Sequence, residues 1–287
     1  MGFETKGSRF ISVVVPILNE EAGIDALRAK LEGLKAVFQD LGELEFVFVD
    51  DGSTDRTRER LESSFAQGFR CQIVSHAKNQ GVGAAFRTGF ERATGSIVCT
   101  IDADCTYEPE KLRDLVNLLE SEQADIAVAS PYHPEGKIED IVKWRIFVSK
   151  VCSAIYRMIA PVKLYTYTSI FRAYRRQVTQ TVKFEANGFV SAAEIIIRAS
   201  QQGYKVAEQP MTLRGRKLGV SKMRVLKTIK THLSMMGRMV KGQAVGQITG
   251  ATADTNQEFA KPSRALAAAA GSVKQASTAA SSFSGKE

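Results

Sequence analysis

From its amino end the chain alternates short apolar runs with segments in which apolar residues recur every three or four positions. Residues 10–15 are an apolar run closed by Pro16, which predicts a buried strand stopping there. Residues 21–41 carry Leu27, Leu31, Leu34 and Phe38 at helical spacing. The pattern then predicts a strand over 44–49, a helix over 55–65 capped by Ser53 or Thr54, and a strand over 70–75. A helix over 83–93, a strand over 97–101, a helix over 109–120 opened by Pro109 and a strand over 125–130 complete the first half. Repeated strand–helix units of this kind predict an α/β fold with a mostly parallel sheet covered on both faces.

Beyond Ser130 the pattern changes. Trp144, Phe147, Val148, Val151, Ile155 and Ile159 form one apolar stripe among Lys143, Arg145, Lys150 and Arg157. Residues 166–174 read as a strand, 189–202 as a helix and 205–213 as another strand. Over 222–241 a second stripe, Val225, Leu226, Ile229, Leu233, Met236 and Val240, is again bordered by basic residues. From about Gly250 the chain turns Ala/Ser/Thr/Gly-rich without periodicity, and a disordered tail is expected over 250–287. The expected organisation is one domain in two halves, 1–130 and 131–249, followed by that tail.

Two acidic clusters each end a predicted strand. One is Asp50-Asp51-Gly52-Ser53-Thr54-Asp55, the other Asp102-Ala103-Asp104. Apolar strands that run into paired carboxylates put negative charge on the carboxyl edge of a sheet, where open α/β sheets bind ligands. Two carboxylates separated by one residue suit a hard divalent cation that keeps some waters and shares phosphate oxygens. A helix-cap region ahead of Pro109 accounts for Asp102 and Asp104 too. Pro16, Leu18 and Glu20, just past the first strand, read either as an ordinary strand exit or as the wall of a nucleoside pocket beside Asp50 and Asp51. Gly81-Val82-Gly83 opens a helix after the third strand. A dinucleotide fingerprint follows the first, so close loop–helix packing near the ligand is favoured here. The basic loop 214–222 suits closure over a diphosphate, or is a plain surface loop. His76, His133 and His232 have no ligand spacing and read as structural or exposed.

Composition narrows the setting. The 287 residues, 44% apolar, can bury a sizeable core. No uncharged apolar run reaches 18 residues, and no signal-like apolar segment precedes the first strand. The four cysteines lack zinc spacing, so a reducing cytoplasm without disulfides is expected. The net charge of +8 is uneven: residues 140–176 hold eight Lys/Arg against one acid, and 203–245 hold ten against one. Such a surface is built for anions: nucleic acid, diphosphates, lipid phosphates or an anionic membrane. The two basic stripes either lie on a membrane or pack against the sheet.

Taken in order, residues 13–20, 49–57, 79–90, 102–104 and 214–223 resemble the motifs of glycosyltransferase family 2, with a GT-A, Rossmann-like fold. Residues 167–174, Glu194 and the basic loop are similar to its dolichol- or polyprenyl-phosphate mannosyl/glucosyltransferase branch. The resemblance implies an inverting transfer of one hexose from a nucleoside diphosphate sugar, of the GDP-mannose or UDP-glucose type, to a polyprenyl or dolichyl phosphate. It places Pro16, Leu18, Glu20, Asp50, Asp51, Asp102, Ala103 and Asp104 at the nucleotide sugar. Asp102 and Asp104 would hold Mg²⁺ or Mn²⁺, and Arg216 and Lys222 the phosphates. Glu194 falls on the acceptor side as the candidate base should the acceptor be a hydroxyl.

This sequence departs from the branch at Thr106, where a Gln is usual, at Pro131, where an Arg is usual, and at Thr166 and Ile170, where Asp and Gly are usual. The changes gather on the acceptor side. The QxxRW motif of processive synthases is missing, so a single transfer is expected. A peripheral location on the cytoplasmic face of a membrane and no nucleic-acid partner follow. The competing classes are a transferase acting on a soluble hydroxyl acceptor, a nucleotidyltransferase and a non-catalytic sugar-nucleotide-binding protein.

Overall fold

The computed structural model describes residues 10–215 and 225–240; Arg216, Lys222 and the expected tail lie outside them. The first half is a run of strand–helix units: β1 (Phe10–Ile17), α1 (Ile24–Phe38), β2 (Glu43–Asp50), α2 (Thr57–Phe65), β3 (Cys71–Ser75), α3 (Val82–Arg92), β4 (Ile97–Thr100), α4 (Leu112–Ser121) and β5 (Ile126–Ser130). The second half adds β6 (Lys137–Glu139), α5 (Lys143–Ile159), β7 (Arg172–Arg175), α6 (Arg176–Thr181), α7 (Ser191–Gln201), β8 (Val206–Pro210), β9 (Thr212–Arg214) and α8 (Val225–Val240).

Seven strands form one sheet in the order β3-β2-β1-β4-β7-β5-β8, and β6 pairs with β9 apart from it. Pairing is parallel except at β7, which runs antiparallel between β4 and β5. The sheet is therefore mostly parallel, as expected, and it spans both halves of the chain. From β1 the chain moves to β2 and β3 on one side, then returns to β4 on the other. The carboxyl ends of β1 and β4 thus flank the point where strand order reverses, the crevice in which such sheets bind ligands.

Alternate strand residues feed two cores. Ile11, Val13, Val15, Phe46 and Phe48 pack with Leu27, Leu31, Leu34, Phe38, Leu61, Leu115 and Leu119 of α1, α2 and α4. Val14, Val47, Val49 and Val98 face Phe86, Phe90, Tyr156 and Ile196 of α3, α5 and α7. At the amino edge, buried Glu45 receives Ser12 Oγ, Thr94 N and Thr94 Oγ1.

Four sequence expectations change. Pro16 does not stop β1, which continues to Ile17 opposite Asp50. Val14 O accepts from Ile101 N, so the missing Pro16 donor faces β4's side, where that strand has already ended at Thr100. Residues 166–171 are not strand. Glu208 captures Tyr165 N and Thr166 N at 2.7 and 2.8 Å, Ser130 Oγ bonds Thr166 Oγ1, and Phe171 N donates to Ser169 Oγ. Polar side chains there compete with a backbone ladder. The run 205–213 divides at Met211, beyond which the chain leaves β5 and pairs with β6. The α5 stripe splits: Val148, Ile155 and Ile159 pack on the core with buried Cys152 and Tyr156, whereas Trp144, Phe147 and Val151 are exposed.

Candidate active site at the carboxyl edge

The exits of β1 and β2 are tied together by side chains that the sequence places at turns. Asn19 N donates to Ser53 Oγ, Thr54 N to Asn19 Oδ1 and Glu20 N to Thr57 Oγ1, at 2.7–2.8 Å. Asp50 Oδ1 receives Ser53 N at 3.0 Å, closing its own turn. Gly52 has φ +72°, and a Cβ there would collide with the Lys78 backbone, so only glycine lets the two loops approach.

Asp51 is a brace. Its carboxylate receives Gln80 N at 2.9 Å and Gly81 N at 2.7 Å, and His76 Nδ1 lies 2.7 Å from Oδ1. His76 Nε2 meets Thr88 Oγ1 at 2.9 Å. The Gly81–Gly83 turn is held in this way at the sheet edge. Gly83 N in turn donates to Asn187 O at 2.7 Å, and a Cβ on Gly83 would strike Ala186 O. The expected close loop–helix packing is what this turn provides. The histidine at the end of β3, read from the sequence as structural or exposed, is largely buried and supports Asp51. Its place directly after a predicted strand was the available signal.

Glu194 is the counterpart on the other side of that contact. Buried on the first turn of α7, it receives Glu185 N and Ala186 N and pairs with Arg198 at 2.7 Å. Its oxygens are engaged by the 185–186 backbone and by Arg198.

The second acidic cluster sits differently. Asp102, Ala103 and Asp104 follow β4 and are half-buried. Cys105 N donates to Asp102 O at 3.1 Å and Thr106 N to Asp104 Oδ1 at 3.2 Å, with Cys105 at φ +49°. Burial, then the charges of Asp104 and Asp102, push the Cys105 thiol up to about 12, so it adds no negative charge at neutral pH. A cleft of about 510 Å³ opens beside this turn. Glu20, Ala103, Asp104, Thr106, Tyr107 and Arg214 are among its walls, while Pro16, Leu18, Asp50, Asp102 and Glu194 lie outside the lining. Arg214 N donates to Thr106 O at 3.0 Å, and its guanidinium holds Glu108 and Glu139. The root of the basic loop is thereby fastened to the Asp102–Asp104 turn. Of the departures, Thr106 enters this turn through its backbone N and O, and the Thr166 hydroxyl meets Ser130 Oγ at 2.8 Å.

A mostly parallel sheet with a switch-point crevice and strand-end carboxylates is a GT-A-like fold. The fold likeness is measured against glucosyl-3-phosphoglycerate synthase from Mycobacterium tuberculosis, solved with Mn²⁺, uridine diphosphate and glucosyl-3-phosphoglycerate. The TM-score is 0.59 at 22% identity, over 82% of this chain and 80% of that one. The sequence model of glycosyl transferase family 2 matches residues 12–183, and the chain belongs to that family. Among curated relatives, polyprenol monophosphomannose synthase of Mycolicibacterium smegmatis is 30% identical over 74% of this chain and 80% of its own length. Dolichol-phosphate mannosyltransferase of Pyrococcus furiosus is 30% identical over 80% of this chain, which spans 64% of that longer protein. The chain is a glycosyltransferase.

Proposed function

We propose that this enzyme moves one hexosyl group, with inversion, from a nucleoside diphosphate sugar of the GDP-mannose or UDP-glucose type to the phosphate of a polyprenyl or dolichyl carrier. The names of the two curated relatives support the acceptor, and the synthase solved with uridine diphosphate and Mn²⁺ supports the donor class. The observation that carries the proposal is the contrast between two carboxylates. Asp104 lines the cleft, whereas Glu194 is committed to a clamp. A phosphate acceptor arrives already ionised and needs no base; a hydroxyl acceptor needs one.

Asp102 and Asp104 fit a Mg²⁺ or Mn²⁺ ion shared with substrate. They are two half-buried carboxylates beside a cleft. Among the described residues no three acidic, His or Cys side chains gather into a cage of their own. Cations of this kind are held by one or two carboxylates together with phosphate oxygens and water. Such an ion supplies Lewis-acid charge to the departing diphosphate. Pro16, Leu18, Glu20 and Asp50 bound the nucleoside, and the Ala103 backbone lies against it. Arg216 and Lys222 add positive charge at the phosphates. The acceptor oxygen bonds to the sugar carbon on the face opposite the diphosphate, whose own bond to that carbon breaks. The enzyme works as a peripheral protein on the cytoplasmic face of a membrane.

Incubation with tritiated GDP-mannose or UDP-glucose, Mg²⁺ or Mn²⁺, and a polyprenyl phosphate in detergent tests this. Metal-dependent label in an acid-labile, organic-soluble product is expected. Label found only in free sugar, or only on soluble hydroxyl acceptors, overturns the lipid-phosphate acceptor and makes Glu194 the first residue to substitute.

A further inference from the structure

Among the described residues the exposed apolar surface is concentrated on one helix. Of the seven large hydrophobic side chains exposed among the described residues, Trp144, Phe147, Val151 and Met158 lie on α5 and Val142 immediately precedes it. Trp144, Phe147, Val151, Ala154 and Met158 are spaced three or four apart, so they form a single line along the helix. Lys143, Lys150 and Arg157 recur every seventh residue along its border, and all three are exposed. Neither α5 nor α8 contains an acidic residue.

The opposite face of α5 is occupied. Cys152 and Tyr156 are buried in the core, and Tyr156 Oη is hydrogen-bonded to His232 Nδ1 of α8 at 2.8 Å. Met235 and Met236 of α8 are buried in the same cluster. Among the described residues of α8 the outward positions are Lys230, Thr231, Leu233, Ser234, Gly237 and Arg238, with Leu233 the one large apolar side chain. The two helices therefore differ in kind: among the described side chains α8 buries His232, Met235 and Met236, while α5 is apolar on both sides.

We propose that the outer face of α5 docks on an anionic lipid bilayer. Trp144, Phe147, Val151 and Met158 enter the boundary between headgroups and acyl chains, and Lys143, Lys150 and Arg157 lie among the lipid phosphates. An apolar line with a cationic border is the pattern of a helix lying in the interface plane. A second copy of the chain fits poorly, because symmetric pairing sets the same patch against itself and brings like charges together with no acid on either helix. No helix among the described residues is long and apolar enough to cross a membrane, so surface docking is the mode available to α5. This inference rests on the membrane location given above but not on the acceptor chemistry.

Trp144 is the only tryptophan in the chain, so its emission reports on this face. The full chain is mixed with vesicles of equimolar phosphatidylglycerol and phosphatidylcholine that contain no polyprenyl phosphate and no sugar donor. Expected are a blue shift of the emission and co-sedimentation, both weaker on pure phosphatidylcholine and both declining as salt screens the surface. The double variant Phe147→Glu/Met158→Glu should lose roughly tenfold or more of the partitioning, since each removes an apolar side chain from the contact. Both side chains are exposed, so its melting curve should match that of the unaltered chain. Leu233→Glu, on the outward side of α8, should bind close to the unaltered chain. Absence of binding at low salt overturns the proposal, as does undiminished binding by the double variant. A blue shift that grows with protein concentration in the absence of vesicles, with dimers seen by light scattering, assigns the face to a second copy instead. Because turnover is not part of the readout, failure here is separable from failure of the acceptor assay.

Discussion

At the end of β2, Asp50 and Asp51 are 3% and 4% exposed, and their oxygens receive Ser53 N, Gln80 N and Gly81 N, with His76 against Asp51. At the end of β4, Asp102 and Asp104 are half-buried, and Asp104 receives Thr106 N from its own turn and faces the cleft. The residue type and the strand-end position are the same. What differs is burial and, at Asp51, the two backbone N–H groups that the 80–81 loop aims at it. An enclosed carboxylate serves as a brace that shapes the crevice, and one on a cleft wall can meet a ligand. Glu194 belongs with the braces, and Asp51 and Glu194 hold the two loops that meet at Gly83 and Asn187.

The sharpest way to break this comparison is Asp104→Asn. Sugar transfer or donor hydrolysis should fall on the order of a hundredfold to a thousandfold, as when one preorganised electrostatic contact to a transition state is removed. The melting temperature should stay near that of the unaltered chain, and chelation of divalent metal should mimic the variant. A variant that keeps its turnover, or that unfolds early, would put Asp104 among the braces.

Asp51→Ala should act in the opposite way. Leaving Gln80 N, Gly81 N and His76 without their acceptor should cost about 1–3 kcal/mol in chemical denaturation, before any effect on turnover is considered. Unaltered stability together with lost donor binding would make Asp51 a ligand and dissolve the distinction.

The smallest effect is expected at the amino edge, where Glu45 is a brace at the end of the sheet opposite the switch-point crevice. Burial pushes its carboxyl up, but hydrogen bonds from Ser12, Thr94 and Gly95 outweigh burial and hold it below the usual 4.5. The unfolded chain therefore binds more protons in that range. The contribution of Glu45 is complete above about pH 4.5 and is lost as pH falls through its lower, folded value. Glu45→Gln should cost about 1 kcal/mol at neutral pH and flatten this part of the acid limb in urea titrations. An unchanged acid limb would remove Glu45 from the set of braces.

Much of this was legible in the sequence because it depends on neighbours within one element. Apolar runs and helical spacing marked the strands and helices from β1 to β5, turn residues marked their exits, and both acidic clusters sit at strand ends where the pattern put them. The split of residues 166–174 was harder to read, since Thr166, Thr168 and Ser169 suit a strand by pattern, yet Thr166 is bonded to Ser130 and Glu208, Thr168 to Ser149, and Ser169 Oγ accepts Phe171 N. The short β6 and α6 carry too few residues to show a period.

Side-chain periodicity and turn chemistry act over about ten residues, so the chain's own pattern set the type and order of its elements and the placing of charge at strand ends. Other features arise only when distant segments meet. Gln80 reaches Asp51 across 29 positions and Arg87 reaches Asn187 across 100, and contacts of that span select the braces among the carboxylates. The antiparallel insertion of β7, and the choice of which apolar side of α5 is covered and which faces outward, are decided in the same way. A local pattern specifies how a segment folds, whereas its neighbours depend on the packing of the whole sheet.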